Sequence, residues 1–327
     1  MIISRTPFRI SFFGGGTDFP GYFRERGGSV LSASIDRYCY LSVHPLAPLF
    51  EHRCRASYSQ TESVKSAAEF RHPLIRETLL ELGVEEGVEI AHVSDLPGQT
   101  GLGTSSAFTV GLLNALKAFR GEAAGAEWLA RTAIRVERER VGDAGGWQDQ
   151  YAVAYGGLNR IDFGRDGSVS VRKARAGEEA KRALEERLML FYLGTAKTAG
   201  EVLRRQEART AANAADLDAM KQMADEAEAA LERGRIDDFG RLLEETWRRK
   251  RRLADGISNG AIDEAHDAAL HAGALGGKLL GAGGRGFLCL CVPPEAQERV
   301  RGALGGLREV RVAFEEGGSK IIYDGGR

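Results

Sequence analysis

The stretch Asp95-Leu96-Pro97-Gly98-Gln99-Thr100-Gly101-Leu102-Gly103-Thr104-Ser105-Ser106-Ala107 constrains this chain more than any other. Its glycines let the backbone bend and approach a ligand closely, and they run directly into a helical pattern, Ala107 to Phe119. Thr104 or Ser105 is a natural N-cap for that helix. The first-turn amides of a helix lack internal partners, and the helix dipole is positive at that end. A glycine-rich loop feeding such a turn is a site for phosphate, and the expectation is that it holds the phosphates of ATP. On this loop alone an ordinary capped helix after a tight turn stays open.

A chain of 327 residues accommodates one large or two medium domains. Its 45 Lys and Arg residues are interleaved with 46 Asp and Glu, for a net charge of −1. This gives no electrostatic case for nucleic acid or an acidic membrane surface as partner. Cys39, Cys54, Cys289 and Cys291 form no Cys-x-x-Cys arrangement and have no His pair at zinc spacing nearby. Buried free thiols are expected, which fits a reducing compartment. The N-terminus lacks a signal-peptide pattern and no apolar run approaches about 18 residues, so the expected location is cytoplasmic.

The pattern opens with a strand, Ile2 to Phe13, which ends in Gly14-Gly15-Gly16-Thr17-Asp18, a backbone turn or close approach. Ser29 to Val43 reads as two strands broken near Asp36, and Val88 to Val93 as another. After the helix ending at Phe119, a second helix is expected from about Glu127 to Arg140, with Gly142 as its C-cap. Tyr155 to Phe163 and Ser168 to Lys173 read as a hairpin, and Leu188 to Leu193 as a short strand. From Lys197 to Leu253 the chain turns rich in Ala, Glu and Arg. Leu217, Met220, Ala224, Ala227 and Leu231 mark one helix face, and Phe239 to Trp247 a second, so a helical hairpin is expected. The basic cluster Arg248 to Arg252 reads as a solvated face. The last segment alternates helix, strand, glycine loop, strand, helix and two strands, Val310 to Phe314 and Lys320 to Tyr323, an α+β arrangement.

Gly281-Ala282-Gly283-Gly284-Arg285-Gly286 matches a dinucleotide-binding spacing, but that pattern needs a helix after the glycines. Here a strand follows, Phe287 to Val292. The loop is expected to bring the backbone close to a bound substrate or to an earlier glycine loop. Glu137 and Asp149 lie twelve residues apart with Gly142 and Gly146 between them, so both could face one cavity. Phosphoryl transfer needs magnesium on the nucleotide oxygens and a group to receive the proton of the attacking hydroxyl. By spacing alone, Glu137 suits a charged helix surface better than a cavity, and Asp149 suits an N-cap equally well. Asp18 could reach sugar hydroxyls, since a carboxylate accepts two hydrogen bonds, or could be a turn aspartate.

Taken together, Pro7 to Asp18, Pro97 to Ala107 and Lys278 to Gly284 resemble, in order, three motifs of the GHMP small-molecule kinases. The stretches Arg9 to Asp18, Phe108 to Leu116 and Gln148 to Tyr151 are most similar to those of heptose phosphate kinases within that family. The resemblance implies a two-domain α+β fold. Its N-terminal part, 1–185, would be ribosomal protein S5 domain 2-like; its C-terminal part, 186–327, would be ferredoxin-like with an added helical hairpin. It implies an ATP- and Mg2+-dependent kinase that phosphorylates the anomeric hydroxyl of a heptose 7-phosphate. Pro97, Gly101, Leu102, Gly103, Thr104, Ser105 and Ser106 would bind the nucleotide, and Ser106 and Glu137 the magnesium. Asp149 would be the base with Arg9 beside it, and Gly15, Gly16, Asp18, Gly283 and Arg285 would meet the sugar. The extra Thr104 leaves Ser105 and Ser106 able to exchange roles. Arg285 stands where the motif has glycine, and could touch a phosphate or crowd the substrate. Lys197, Arg204, Arg205 and Arg285 could seat a substrate phosphate. A kinase for another sugar (fucose, mannose or an unphosphorylated heptose) and a sugar sensor without activity are the competing expectations. Monomer and homodimer both remain open.

Overall fold

The computed structural model describes residues 1–195 and 199–326. In chain order the first half comprises β1 (Ile2–Phe13), α1 (Pro20–Arg26), β2 (Gly28–Pro45), β3 (Cys54–Ser57), β4 (Thr61–Val64), α2 (Pro73–Glu81), β5 (Val88–Ser94), α3 (Thr104–Phe119), α4 (Ala126–Ile134), α5 (Gln148–Tyr155), β6 (Leu158–Phe163) and β7 (Val169–Lys173). The second half comprises α6 (Glu178–Arg187), β8 (Leu188–Tyr192), α7 (Ala199–Ala208), α8 (Ala214–Glu232), α9 (Ile236–Lys250), α10 (Gly260–His271), β9 (Gly276–Leu279), β10 (Phe287–Cys291), α11 (Gln297–Ala303), β11 (Arg308–Val310) and β12 (Lys320–Asp324).

Two sheets organise these elements. The larger has eight strands, with β1 and β2 at its centre. β2 is long enough to pair with β1 along one edge and, on the other, with β6 over its first half and β5 over its second. The smaller sheet runs β11-β8-β10-β9, antiparallel throughout. With α11 between β10 and β11, that is the order of a ferredoxin-like domain, and α7 to α10 are inserted between its first two strands. α8 and α9 form the expected helical hairpin. The final strand, β12, crosses back to pair with β1 in the larger sheet, so the chain's end belongs with its beginning.

Several local expectations are corrected. Ser29 to Val43 lies in one strand, not two: Pro7 pairs with Tyr38 and Phe8 with Ile35, which leaves Asp36 and Arg37 as a bulge. The bulge persists because Asp36 bonds Ala313 twice, amide to carbonyl at 2.9 Å and carboxylate to amide at 2.8 Å. The same contacts end the expected strand at Val310 to Phe314 early, after Val310, by drawing the chain across to the larger sheet. The basic cluster is not wholly solvated, because Lys250 is buried. All four cysteines are free and buried, as expected.

The halves are joined by packing and by glycine contact. Phe12 and Phe13 of β1 meet Phe239 of α9 edge-on, with ring centroids 5.3 and 4.9 Å apart. Gly101 (φ +82°) lies back to back with Gly281 (φ +73°); a Cβ on Gly101 would stand 2.3 Å from the Leu280 carbonyl oxygen, and one on Gly281 2.3 Å from the Gly101 Cα. The Gly281 loop thus presses on the earlier glycine loop rather than cradling a dinucleotide. Positive φ is costly for a residue with a Cβ, and backbone atoms cannot step aside. Gly101→Ala should therefore destabilise the protein by about 2 kcal/mol or more, read as a fall of several degrees in the thermal denaturation midpoint.

Candidate active site

The glycine loop enters α3 without a side-chain cap. Gly103, at φ 71°, occupies the cap position expected for Thr104 or Ser105, and the helix starts at Thr104. Glycine adopts this left-handed conformation without the steric cost a Cβ would bring, so it takes the position before the helix and supplies no side-chain acceptor. The first intrahelical bond comes from Ala107 to the Gly103 carbonyl at 2.9 Å, so the amides of Thr104, Ser105 and Ser106 stand ahead of it at the positive end of the dipole. Gln99, just before, holds φ 61°, backbone strain of the kind that accompanies functional loops.

Arg9 ties this loop to β1 and α5. Its Nε and Nη2 donate to Asp149 Oδ1 and Oδ2 at 2.9 and 2.7 Å, and its Nη1 donates to the Gly101 carbonyl at 2.6 Å. Its backbone amide donates to the Leu102 carbonyl at 3.0 Å. Leu102 itself is fully buried and serves as an anchor, not a cleft residue. The Arg9 side chain is 4 % exposed and that of Asp149 25 %, so the aspartate is held by a buried fork and still meets solvent.

Ser106 and Glu137 come together. Ser106 Oγ donates to Glu137 Oε2 at 3.0 Å, and Gln150 Nε2 donates to the same oxygen at 2.8 Å. Glu137 is not a surface residue: α4 widens into a π-helical turn over Arg135–Arg140, the kind of irregularity that re-aims side chains at functional sites, and Glu137 is buried within it. Burial pushes its carboxyl up, opposed by Arg138 and by the bonds from Gln150 and Ser106. Glu137 Oε1 is buried with no partner among the described residues. Of the two serines it is Ser106 that meets Glu137, whereas Ser105 is exposed.

Three cavities meet here. One lies over the glycine loop, against Gly101, Gly103, Ser106, Glu137 and Asp149. A second is lined by Gly15, Gly16, Asp18, Gln148, Lys250 and Lys278. Arg9, Arg138, Asp149, Leu203, Gly281 and Ala282 line both. A third, aromatic groove contains Tyr58, His72, His92, Pro97 and Phe108 and shares Gln99, Thr104 and Ser105 with the first. Asp18 is buried, and accepts from the amides of Gly16 at 2.9 Å and Gln148 at 3.1 Å. Burial raises its carboxyl, helped by the nearby Asp149.

Other expectations fail geometrically. Gly281 and Ala282, rather than Gly283 and Arg285, line the cleft. The Gly284 amide and carbonyl are tied to Ile257 and Asn259, which turns Arg285 into a separate groove with Tyr192 and Arg308. Arg204 and Arg205 are exposed on α7, whereas Leu203 and Gln206 line the second cavity. Lys197 lies outside the described residues. Lys250 and Lys278, which sequence reading passed over, line that cavity together with Arg9 and Arg138. Lys250 sat in an apparent surface cluster, and Lys278 only marked the start of a glycine motif.

Comparison with known proteins accounts for this architecture. The family model of the GHMP kinases N terminal domain matches residues 63–157, and that of the GHMP kinases C terminal region matches residues 227–306. Together they span more than half of the chain, which belongs to the GHMP kinase family. The D-glycero-alpha-D-manno-heptose 7-phosphate kinase of Campylobacter jejuni is 28 % identical, over 90 % of either chain. The L-fucokinase/L-fucose-1-P guanylyltransferase of Bacteroides fragilis is 26 % identical over 92 % of this chain, which spans 36 % of that longer protein. Among solved structures, a D-glycero-D-manno-heptose 1-phosphate kinase from Bacteroides thetaiotaomicron superposes with a TM-score of 0.81 at 26 % identity, covering 99 % of this chain and 100 % of that one. A mevalonate kinase shares the fold with a TM-score of 0.74 at 21 % identity, over 97 % of this chain and all of that one. No helix among the described residues is long and apolar enough to cross a membrane.

Burial pulls Lys278 down to about 7, the Arg9 charge adding to the effect and Cys289 opposing it. Between pH 7 and the ordinary lysine range the unfolded chain holds this proton and the folded chain does not, so stability rises with pH across that window. Lys278→Met should remove this contribution. Chemical denaturation at pH 7 and pH 10 should show the parent gaining stability relative to the variant as pH rises.

Proposed function

We propose that this chain is an ATP-dependent sugar kinase that phosphorylates the anomeric hydroxyl of D-glycero-D-manno-heptose 7-phosphate to the 1,7-bisphosphate, a step towards nucleotide-heptose for surface polysaccharide. One observation carries the reading: Asp149, gripped by Arg9, lines both the cleft over the glycine loop and the cavity beside Asp18. A group at that junction can touch a nucleotide's terminal phosphate and an acceptor hydroxyl together. The similarity to the Campylobacter heptose 7-phosphate kinase over nearly the whole chain supports the choice of sugar.

In this reading the triphosphate lies on the amides of Thr104 to Ser106, where unpaired N–H groups and the helix dipole favour anions. The adenine enters the aromatic groove between Pro97 and Phe108, contiguous with the phosphate cleft. Asp18 and the backbone at Gly15 and Gly16 hold sugar hydroxyls. Asp149 receives the proton of the anomeric hydroxyl, which is more acidic than an ordinary alcohol. Arg9 fixes the orientation of that carboxylate through two parallel bonds and balances its charge.

Ser106 and Glu137 are the residues that would hold magnesium, and the partnerless Glu137 Oε1 fits a cation. Among the described residues no cluster of three or more His, Cys, Asp or Glu could hold a metal. Magnesium takes one or two protein groups and completes its shell on phosphates and water. When bound, such an ion neutralises charge on the phosphate oxygens.

Asp149→Asn should lower turnover by on the order of 10²–10⁴-fold, the scale of general-base loss, with nucleotide affinity nearly unchanged; near-normal ADP release would remove Asp149 from the mechanism. Glu137→Gln should raise the magnesium concentration needed for half-maximal rate by roughly 10- to 100-fold, measured by titrating the metal at saturating ATP. A panel of heptoses, fucose, mannose and their phosphates, assayed for ADP release, tests the acceptor.

A further inference from the structure

Arg138 stands on the wall shared by both cavities, beside Glu137 in the π-helical turn. Its side chain is 18 % exposed, and among the described residues its hydrogen bonds all go to backbone carbonyls. Nε and Nη2 donate to the Gly146 carbonyl at 3.2 and 3.0 Å, and Nη1 donates to those of Ala144 and Asp143 at 3.3 and 3.4 Å. The Glu137 carboxylate lies 3.8 Å from Nη2, too far for a hydrogen bond. A mostly buried guanidinium is costly to place. Here it is spent on one short loop, 143–146, just ahead of α5.

That loop governs Asp18. A trans peptide is planar, so its carbonyl and its N–H point opposite ways. Arg138 takes the carbonyl of the Gly146–Trp147 peptide, and the N–H of the same peptide donates to the Asp18 carbonyl at 3.1 Å. The next amide, that of Gln148, donates to Asp18 Oδ2 at 3.1 Å, and the Gly16 amide donates to Oδ1 at 2.9 Å. α5 has no side-chain cap from the residue before it; Asp18 meets its open end instead. The approach is close, since a Cβ on Gly146 would stand 1.8 Å from Asp18 Oδ2. Each oxygen of this buried carboxylate is thus set by an amide, and one of those amides belongs to the chain that Arg138 holds. Arg138, Gly145, Gly146 and Asp18 all line the second cavity.

We infer that Arg138 is a positioning residue for the acceptor: by holding the Gly146 carbonyl it turns the following amides onto Asp18 and fixes the carboxylate that meets the sugar. This role rests on the sugar-kinase reading and adds to it the group that aims Asp18. Two guanidiniums then divide the site. Arg9 orients the carboxylate that takes the proton, and Arg138, through one peptide, orients the carboxylate that holds the sugar. The fork matters more than the charge. Two N–H groups in a rigid plane fix the direction of one carbonyl, whereas an ammonium on a flexible stem leaves it free to turn. A substrate displaced by about 1 Å can react on the order of 100-fold more slowly.

The test follows ADP release with the full-length parent, Arg138→Lys, Arg138→Met, Asp18→Asn and the double variant Arg138→Lys with Asp18→Asn. The acceptor is whichever sugar of the panel above the parent turns over best. Both Arg138 variants should lower kcat/KM for the sugar on the order of 10- to 100-fold, with lysine giving no rescue. The KM for ATP should change by no more than about twofold, the spread left by near-neutral contacts. Because Arg138 acts through Asp18, the double variant should lose little more than Asp18→Asn alone. A loss expressed in the KM for ATP, near-parental activity with lysine, or losses that multiply in the double variant would each overturn the role. Hydrogen exchange on the unmodified protein needs no variant: the sugar alone should slow exchange in residues 146–148 and around Asp18. Exchange there that ignores the sugar overturns the role even if the variants do not fold. A parent that releases no ADP with any sugar of the panel would instead refute the kinase reading, and this role with it.

Discussion

A single guanidinium holds this site together. Arg9 rises from the central strand of the larger sheet, grips both oxygens of Asp149 on α5, and takes the Gly101 carbonyl of the glycine loop. Its own amide fastens the same loop through Leu102. Because the fork is planar and rigid, two parallel bonds set both the position and the tilt of the carboxylate. A lysine could supply the charge but not that geometry. Remove the fork and the strand still holds the loop through that amide, but Asp149 loses the two bonds that orient it towards the loop.

Around that clamp the protein accumulates charge it does not satisfy internally. Glu137 keeps an oxygen without a partner, Asp18 is buried with amide partners alone, and Lys250 and Lys278 rest on carbonyls. Such groups lower the stability of the empty protein, and the apolar packing of Phe12 and Phe13 on Phe239 offsets them by locking the two sheets into one frame. Binding sites built this way are pre-organised: the electrostatic work is done on folding, so little reorganisation remains when ligands arrive.

How far the site could be read from the chain varied with how local its signal was. The glycine loop and its helix, the strand before the triple glycine, and the helical hairpin each depend on residues a few positions apart, and all were legible. The bulge at Asp36, the early end of the strand at Val310 and the π-helical turn that buries Glu137 were not, because each is decided by a partner far away in the chain. Lys250 illustrates the difficulty. Four arginines surround it in sequence, so it reads as one more surface cation, yet its position on α9 faces β9 and the cavity. Arg285 shows the converse: it stands inside a phosphate-kinase motif but turns away, because Gly284 is tied to Ile257 and Asn259.

The sequence by itself determined the class of fold and the glycine loop that enters α3, since glycine spacing and strand periodicity are short-range properties of the chain; Arg9, Glu137 and Asp149 stood out only through the resemblance to a family. Only the tertiary structure decided which serine meets Glu137, that Gly283 and Arg285 stay out of the cleft, and that two lysines wall the cavity beside Asp18. The reason is physical. Local conformation follows from sterics between neighbouring residues, whereas burial, charge pairing and the sharing of one cavity by distant side chains exist only after the sheets have packed.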